Sequence, residues 1–505
     1  MYYPAFETFK GLAKEGNLIP VYKQILADTE TPVSALMKLR SKPHVFLLES
    51  VEGGEKWGRY TFLGFDSHVV FKVKGEDVSI QGNGEVRSHK HRGDPMKFLK
   101  DLLHSYRPVP VDGLPRFYGG AVGFLGYDMV RYFEKLPATA KEDLRTDDAT
   151  FLITDTLMIF DNVRHTIKVV VCVFTEGRED LQAVYEEAIN KIDQMIEMLR
   201  TPVEKGEPPW DAEDDARPQS NMTPEDFKAM VRKAKDYIVS GDVIQVVVSQ
   251  RFHGGNRRDP IDLYRALRYI NPSPYLFFLK LEGLILIGSS PEVMVRLEEG
   301  VAELRPIAGT RRRGKNEQED RSLADELLQD PKERAEHVML VDLGRNDLGR
   351  IAQIGSVQVD QFMVVERYSH VMHLVSHIQA HLSGDKDAFD VLKATFPAGT
   401  LTGAPKIRAM EIIDELEPSR RGPYGGAVGY FSYTGNMDFC ITIRTMVIKD
   451  GKIFIQAGAG IVADSDPEAE YQETVNKARG MMQAIRMTAS GLEIAKNRDY
   501  PGEEG

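Results

Sequence analysis

Cysteine and long apolar segments are scarce in this chain of 505 residues. The two cysteines, Cys172 and Cys440, belong to no metal-binding motif or disulfide framework, which is typical of a reducing cytosol. No apolar run approaches the length needed to cross a membrane, and the amino terminus lacks the basic and apolar regions of a signal peptide. We therefore expect a cytoplasmic protein that has no membrane partner.

An excess of positive charge is also missing. Aspartate and glutamate number 76 against 64 lysines and arginines, which gives a formal net charge of −12. Because general nucleic-acid binders need basic residues to contact phosphates, we expect no nucleic-acid partner. At 505 residues the chain is long enough for two or three domains or for one large intertwined unit, and its hydrophobic content of 42% is that of an ordinary soluble globular protein.

Short strand-like runs separated by hairpin-like turns are the commonest pattern in the sequence. Glu282-Gly283, Glu299-Gly300 and Asp450-Gly451 are such turns, and each lies between apolar or β-branched runs. A helix is predicted over 180–199 from its amphipathic spacing. The pattern favours an α+β fold with mostly antiparallel sheet and flanking helices over a doubly wound parallel sheet.

One segment changes character and suggests a boundary. Residues 201–221 are rich in proline and acidic residues and nearly devoid of aliphatic ones, as linkers are. The predicted division is an N-terminal region, a linker or exposed loop, a second region and a C-terminal tail, at residues 1–205, 206–221, 222–490 and 491–505.

A short internal echo connects the two regions. Tyr118-Gly-Gly-Ala-Val-Gly-Phe124 and Tyr424-Gly-Gly-Ala-Val-Gly-Tyr430 agree at six of seven positions. The match suggests that both halves contain the same sheet-building unit. The sequence leaves open whether the two segments lie side by side.

The segment 456–477 combines glycines, a helix start and charged side chains. Gly458-Ala459-Gly460 follows a strand-like run and suggests a turn whose backbone N–H groups can approach an anion. Pro467 suits the first position of a helix that places Glu473 and Lys477 on one face, with Glu470 as a solvated neighbour. A dinucleotide fingerprint is disfavoured because the helix begins too far beyond the glycines.

A second proline-initiated helix carries Glu336 in its early turns, as the first carries Glu473. Two carboxylates together with a substrate carboxylate would suit Mg²⁺, which keeps several waters and prefers few protein ligands. From spacing alone, two solvated helix glutamates are the simpler interpretation.

Three further patterns in the sequence are candidate binding sites. The segment from Gly309 to Asn316 lacks the hydroxyl of a P-loop, which disfavours a nucleotide site and leaves its three arginines to bind a carboxylate or to be solvated. His370, His373 and His377 share a predicted strand, but without a thiolate a single catalytic or hydrogen-bonding histidine is favoured over zinc. Arg444 is interpreted as part of an apolar strand, where a bound carboxylate would compensate its charge.

Six motifs in order resemble those of the chorismate-utilising enzymes. They are GSSPE (288–292), RPIAGTRRRG (305–314), AEHVMLVDLGRNDLGR (335–350), FPAGTLTGAPK (396–406), YGGAVGY (424–430) and QAGAGIVADSDPEAEYQET (456–474). The resemblance is dense over 222–490 and, together with the N-terminal half, extends to the anthranilate synthase component I branch of that family. It implies two large packed antiparallel sheets with helices on the outside, and chemistry that starts from chorismate.

The resemblance also implies roles for individual residues. It favours the metal interpretation, in which Glu336 and Glu473 hold a Mg²⁺ ion that binds the ring carboxylate of chorismate. The residues expected at or close to the pyruvyl side are Arg444, Tyr424, Gly458, Ala459, Gly460, Gly309, Thr310 and Lys477. Glu292 is expected to protonate the departing hydroxyl while ammonia attacks, and His373 and Thr400 to serve the loss of pyruvate.

Two positions separate the close relatives within this family. Gln245 stands where the enzymes that add water have a lysine base, and an amide cannot deprotonate water. Ala308 stands where aminodeoxychorismate synthases typically have a lysine that can form a covalent adduct. Both differences favour anthranilate as the product. The alternatives are aminodeoxychorismate synthase component I and a catalytically silent, tryptophan-binding regulatory subunit.

Two further expectations concern the source of ammonia and the regulation of the reaction. Neither cysteine resembles the nucleophile of a glutamine amidotransferase, so the resemblance implies a separate glutaminase subunit, in a heterotetramer with two copies of each subunit. It also implies feedback inhibition by tryptophan. The residues expected at that site are Leu48, Glu49, Ser50, Pro274, Tyr275 and Leu276.

Overall fold

The computed structural model describes residues 1–50, 58–82, 84–203, 218–368 and 371–493. In this part of the chain, two large β-sheets are built from segments on both sides of residues 204–217. All strands pair antiparallel. The α+β expectation is therefore confirmed.

The first sheet has thirteen strands and the second has twelve. The first runs in the spatial order β1 (Tyr2–Tyr3), β2 (Leu18–Leu26), β11 (Thr166–Phe174), β10 (Thr156–Asp161), β4 (Tyr60–Phe65), β3 (Val45–Glu49), β14 (Tyr275–Leu281), β15 (Leu284–Ser290), β24 (Thr445–Lys449), β25 (Lys452–Ile461), β13 (Gln245–Gly255) and β12 (Gln219–Ser220), with β21 (Gly403–Ala404) also on β13. The second runs in the order β18 (Ile307–Arg312), β20 (Val371–His381), β17 (Val301–Leu304), β16 (Val293–Glu298), β23 (Met437–Ile441), β22 (Ala427–Ser432), β8 (Gly120–Leu125), β9 (Ala149–Thr154), β5 (Val69–Lys74), β6 (Asp77–Gly82) and β7 (Glu85–Lys90), with β19 (Gln358–Arg367) also on β20.

Eleven α-helices accompany the sheets in the described ranges. They are α1 (Phe6–Leu12), α2 (Pro32–Lys38), α3 (Met96–His104), α4 (Leu181–Arg200), α5 (Pro224–Val239), α6 (Pro260–Ile270), α7 (Glu317–Gln329), α8 (Pro331–Gly349), α9 (Ala388–Thr395), α10 (Lys406–Leu416) and α11 (Pro467–Ala489). The helix predicted over 180–199 is α4. None of these helices is long and apolar enough to cross a membrane.

The two sheets pack on one another through a shared hydrophobic core. Phe62 of the first sheet lies 6.2 Å from Tyr430 of the second, measured between ring centroids, and Phe117 stacks on Tyr430 at 4.1 Å. Helices cover the other face of the first sheet, where Ile192 and Leu267 join a second apolar cluster. The outside position of the helices follows from their amphipathic faces.

The three predicted hairpin turns join neighbouring strands. Gly283 connects β14 with β15, Gly300 connects β16 with β17, and Gly451 connects β24 with β25. Their φ angles of +71°, +79° and +69° lie in the left-handed region, which glycine adopts without strain. Turn chemistry that is readable in the sequence therefore sets these registers.

The two echo segments lie side by side in the second sheet. Strands β8 and β22 pair antiparallel, with Gly123 directly opposite Gly429. A Cβ atom on Gly123 would lie 1.9 Å from the Thr150 carbonyl oxygen, and one on Gly429 would lie 2.1 Å from that of Asp438. Both glycines are therefore required by close approach of the neighbouring strands.

Some expectations concern residues beyond the described ranges. Most of the predicted linker and of the C-terminal tail lies there, as does His370. The division of the chain into regions stays a prediction.

Candidate active site

Glu292 lies where the chain crosses from the first sheet to the second, between β15 and β16. Its backbone oxygen accepts a hydrogen bond of 3.0 Å from the Ile441 amide. Burial raises the pKa of the Glu292 carboxyl to about 7, against the opposing effects of the Thr400 hydroxyl and the Lys477 ammonium group. A carboxylic acid with this pKa can donate a proton near neutral pH.

Thr400 borders a cavity of about 430 Å³ together with Glu292. Its Oγ1 atom is buried, and the hydroxyl interacts with the Glu292 carboxyl, whose pKa it lowers. Glu292 and Thr400 are thus brought together, as the resemblance implies.

His373 lies on β20 and faces the bulge within β18. Its Nδ1 atom is 3.2 Å from the Gly309 carbonyl oxygen and 3.0 Å from Thr310 Oγ1. Because a carbonyl oxygen only accepts, the bond to Gly309 assigns the proton to Nδ1 and leaves Nε2 as the basic atom. Burial lowers the pKa of His373, which favours the neutral imidazole that a general base requires.

Gly309 forms a bulge in the pairing of β18 with β20. Its φ is +67°, and a Cβ atom there would lie 3.0 Å from Leu327 Cδ1 and 3.1 Å from Glu333 Oε2. The bulge aligns Thr310 opposite His373 in the register. A glycine is therefore required at this position to present the pair.

Glu336 on α8 and Glu473 on α11 lie close enough to influence one another. The pKa of Glu336 is raised by burial and further by the carboxylates of Glu333 and Glu473. Gln245 Nε2 donates to Glu336 Oε1 at 3.3 Å, and no lysine or arginine forms an ion pair with Glu336 among the described residues. Glu336 is partly buried and Glu473 is exposed, so the interpretation of two solvated glutamates holds only for Glu473. Carboxylate oxygens are the kind of ligand that a divalent cation such as Mg²⁺ takes.

Lys477 connects the acidic helix to the glycine-containing strand. Its Nζ atom lies 2.5 Å from Glu473 Oε1 and donates to the Gly458 carbonyl oxygen at 3.0 Å. The expected one-face arrangement of Glu473 and Lys477 is confirmed. Glu470, however, is 9% exposed and its pKa is raised by burial. The expectation that it is solvated is wrong, because α11 packs that side of its first turns against the protein.

Arg444 differs from its expected setting. Strand β23 ends at Ile441, and Arg444 lies in the connection to β24, which crosses from the second sheet to the first. Its φ of +50° and a 3.0 Å bond from Nη1 to the Lys477 carbonyl oxygen hold the side chain in place. No acidic side chain pairs with it in the described part of the chain, and burial lowers its pKa. An anion that meets Arg444 would compensate this partly buried charge.

The segment Gly458-Ala459-Gly460 is a strand and not a turn. All three residues belong to β25 and pair with β13, while pairing with β24 ends at Ile455. A Cβ atom on Gly458 would lie 2.8 Å from the Tyr424 hydroxyl, and one on Gly460 would lie 2.8 Å from Gln245 Nε2. The glycines thus permit close approach of two expected site residues. Within the described part of the chain, no strand pairs with the other edge of Gly458-Ala459-Gly460.

The arginine-rich motif and His377 form ion pairs within the protein. Arg311 pairs with Asp330 at 2.8 Å and Glu333 at 3.1 Å, so the arginines of this loop bind carboxylates of the protein itself. His377 lies 3.4 Å from Asp360. The described residues contain no group of three or more histidine, cysteine or carboxylate side chains arranged for a metal ion.

A second cavity, of about 570 Å³, lies between the two halves of the chain. It is lined by all six residues expected at the inhibitor site, Leu48, Glu49, Ser50, Pro274, Tyr275 and Leu276. Sequence reasoning missed the charged residues beneath it, where Asp438 accepts bonds from Arg296 at 2.7 Å and Arg116 at 3.0 Å. The sequence does contain one signal for this cluster, because Asp438 is a single charged residue within the apolar strand MDFCI (437–441).

The sequence of this chain is similar to those of known proteins. A model of the family described as chorismate binding enzyme matches residues 44–483. Anthranilate synthase component 1 of Aquifex aeolicus is 48% identical over 97% of this chain and 99% of its own length, and that of Acetivibrio thermocellus is 46% identical over 96% and 99%.

Solved structures give the same result. Anthranilate synthase component I from Streptococcus pneumoniae matches with a TM-score of 0.75 at 39% identity, over 91% of this chain and 99% of that one. The menaquinone-specific isochorismate synthase of Escherichia coli has a TM-score of 0.69 at 20% identity over 95% and 99%, which shows a shared fold. The chain belongs to the chorismate-binding enzyme family, in the branch formed by anthranilate synthase component 1.

Proposed function

We propose that this chain converts chorismate and ammonia to anthranilate and pyruvate, the first committed step of tryptophan biosynthesis. The observation that carries the proposal is one arrangement of groups. Arg444, which forms no ion pair among the described residues, can bind a carboxylate directly, and Glu336 and Glu473 can bind one through a Mg²⁺ ion. An acid, Glu292, and a base, His373, accompany them. Chorismate has two carboxylates and a leaving hydroxyl, which matches this set.

The carboxylate pair fits a Mg²⁺ ion. Glu336 is partly buried beside a second carboxylate, and its only described side-chain hydrogen-bond donor is the neutral amide of Gln245. Carboxylate oxygens completed by water and a substrate carboxylate are the ligands that Mg²⁺ prefers. Glu336 and Glu473 would hold the ion, and the bound ion would supply positive charge for the ring carboxylate of chorismate.

The residues of the chain account for two chemical steps. Glu292 gives its proton to the hydroxyl that leaves as water while ammonia forms a bond to the ring, which yields aminodeoxyisochorismate. Nε2 of His373 then removes a ring proton as the bond between the ring and the pyruvyl oxygen breaks, and the ring becomes aromatic. The pyruvyl group leaves as the enolate of pyruvate, which takes up a proton at its methylene carbon to become pyruvate. Thr400, whose hydroxyl interacts with Glu292, would contact the reacting ring on that side.

Two neutral residues support ammonia as the nucleophile and anthranilate as the product. Gln245 holds Glu336 through its amide and cannot deprotonate water. Ala308, on β18, offers no amine for a covalent adduct with the ring. Ammonia is supplied by a glutamine amidotransferase subunit, component II, in a heterotetramer with two copies of each subunit.

The test is to incubate the purified chain with chorismate, Mg²⁺ and ammonium at alkaline pH, where free ammonia is available. Anthranilate fluorescence is expected with ammonium and not with glutamine, because the glutaminase is a separate subunit. Chorismate that stays unconsumed would exclude the enzyme, and would favour a silent regulatory subunit. Consumption without anthranilate would point to aminodeoxychorismate synthase.

Tryptophan is proposed to bind in the 570 Å³ cavity and to inhibit the reaction. Three segments run from this cavity to the candidate active site. Each segment has one residue at the cavity and one at the candidate active site. Along the segments of β16, β23 and β22 these pairs are Arg296 and Glu292, Asp438 and Arg444, and Tyr430 and Tyr424. A ligand that shifts any of these strands would move a residue expected to bind or protonate chorismate.

Replacement of Ser50 by phenylalanine is expected to relieve the inhibition. Overfilling a packed pocket costs about 1–3 kcal/mol, so the tryptophan concentration for half inhibition should rise about tenfold or more. The measurement is a tryptophan titration of the ammonium-dependent rate. Ser50→Ala, which leaves the space open, is the matched control and should stay close to wild type. If Ser50→Phe remained fully inhibited at unchanged turnover, the site would be assigned wrongly.

A further inference from the structure

Arg421, in the segment after α10, is among the largest fully buried side chains in the described part of the protein and is 2% exposed. Its guanidinium group forms a two-bond ion pair with Glu417, from Nε to Oε2 at 3.0 Å and from Nη2 to Oε1 at 2.7 Å. Neither residue is among those that bind or protonate chorismate in the proposed reaction. The pair therefore needs a separate explanation.

The remaining guanidinium donors reach two segments of the candidate site. Nη1 donates to the Leu401 carbonyl oxygen at 2.6 Å, next to Thr400, and Nη2 donates to the Val247 carbonyl oxygen at 2.8 Å, two residues from Gln245. The guanidinium carbon also lies 5.6 Å from the centre of the Tyr424 ring. One side chain thus contacts the segments that carry three expected site residues.

Glu417 extends this network along β13 and β25. Its Oε1 atom accepts hydrogen bonds of 2.8 Å from both the backbone amide and the hydroxyl of Ser249. The Ser249 hydroxyl accepts in turn from Gln456 Nε2 at 2.8 Å, two residues before Gly458. The glycine-containing strand is thereby joined to the same ion pair.

A buried ion pair is weak evidence for stability, because apolar residues of similar volume often stabilise a core as well or better. Arginine differs from lysine in its planar array of five donors, which can fix several acceptors at defined angles. We propose that Arg421, oriented by Glu417, is a positioning residue that sets the Thr400 turn and Tyr424 relative to strands β13 and β25. This inference rests on the proposed function, since it concerns the same site.

Arg421→Lys is the first test, because lysine keeps the charge and loses the planar set of bonds. The expected result is a fall in kcat/KM for chorismate of about tenfold or more, the cost of one misplaced catalytic contact. Displacement of the Thr400 hydroxyl from Glu292 should also raise the pKa that limits the rate at high pH. A residue that only stabilises the fold would not move this pKa.

The control is Arg59→Lys. Arg59 also pairs with a buried carboxylate, that of Asp161 at 2.9 Å, and the pair lies beside β4 and on β10, which carry none of the residues proposed to bind or protonate chorismate. Its kcat/KM and pH profile should match those of the wild type. Equal kinetics for wild type and Arg421→Lys would overturn the inference, whereas an inactive wild type would overturn the proposed function instead.

Ser249→Ala carries the test if Arg421→Lys does not fold. This change removes one hydroxyl from the network and leaves the ion pair intact. The expected result is a fall in kcat/KM of about threefold, with the same direction of change in the pH profile. Unchanged kcat/KM and an unchanged profile in this folded variant would overturn the inference.

Discussion

Replacing Glu336 by glutamine is expected to reduce the rate of anthranilate formation on the order of a thousandfold. The amide keeps the shape of the side chain but removes one of the two charges proposed to hold Mg²⁺. A loss of about 4 kcal/mol of transition-state stabilisation corresponds to three factors of ten in rate. The measurement is kcat/KM for chorismate at saturating Mg²⁺ and ammonium.

We expect the folded state of the Glu336→Gln variant to be at least as stable as that of the wild type. Glu336 is partly buried beside other carboxylates, and no lysine or arginine pairs with it among the described residues. Neutralising it removes repulsion, so the thermal unfolding midpoint should stay the same or rise. Glu186→Gln, at an exposed position on α4, is the matched control and should keep wild-type activity. A Glu336→Gln variant with more than a tenth of the wild-type rate would contradict the metal assignment.

Replacing Glu292 by glutamine is expected to lower kcat about 10²- to 10⁴-fold, the usual contribution of a general acid. The affinity for chorismate should change little, because the amide keeps the size of the side chain. An unchanged kcat would contradict the role of Glu292 as the acid.

The pH dependence gives the same role an independent test. Burial raises the pKa of Glu292 to about 7, so the protonated form required of an acid predominates below that pH. At a fixed concentration of free ammonia, the rate should therefore fall as the pH rises through about 7. This decline should be absent from the residual activity of Glu292→Gln. A wild-type rate that rises with pH at constant free ammonia would count against the assignment.

The antiparallel fold could be predicted because its signals are local. Glycines at +φ turns, such as Gly283, mark hairpins within a few residues, and amphipathic spacing marks α4. The echo of Tyr118–Phe124 in Tyr424–Tyr430 predicted a shared unit but not its placement. The pairing of Gly123 with Gly429 is a contact across some three hundred residues that only the folded chain defines.

Errors arose where a distant partner decides the local structure. Gly458 and Gly460 suggested a turn, yet β13 draws them into a strand, and their lack of side chains makes room for Tyr424 and Gln245. Arg444 suggested a strand, yet the crossing between sheets places it in a connection with positive φ. Helical spacing alone likewise did not reveal that the side of α11 carrying Glu470 is packed.

The candidate site was assembled chiefly by resemblance, and physical reasoning on spacing reached only parts of it. Spacing correctly pairs Glu473 with Lys477, whereas the metal pair stays a prediction that rests on the resemblance. The fold adds what spacing lacks, since it brings Glu473 close enough to raise the pKa of Glu336 and leaves Glu336 without an ion pair among the described residues. The Arg421–Glu417 pair had no sequence signal that distinguished it from surface charge.

The central claim is that one site binds both carboxylates of chorismate, one through a Mg²⁺ ion on Glu336 and Glu473 and the other through Arg444. The most direct measurement is a calorimetric titration of Mg²⁺ into the chain with and without chorismate, in the absence of ammonia, which prevents amination. We predict that chorismate tightens Mg²⁺ binding about tenfold or more, and that Arg444→Ala greatly weakens this coupling. Equal Mg²⁺ affinity with and without chorismate would contradict the account.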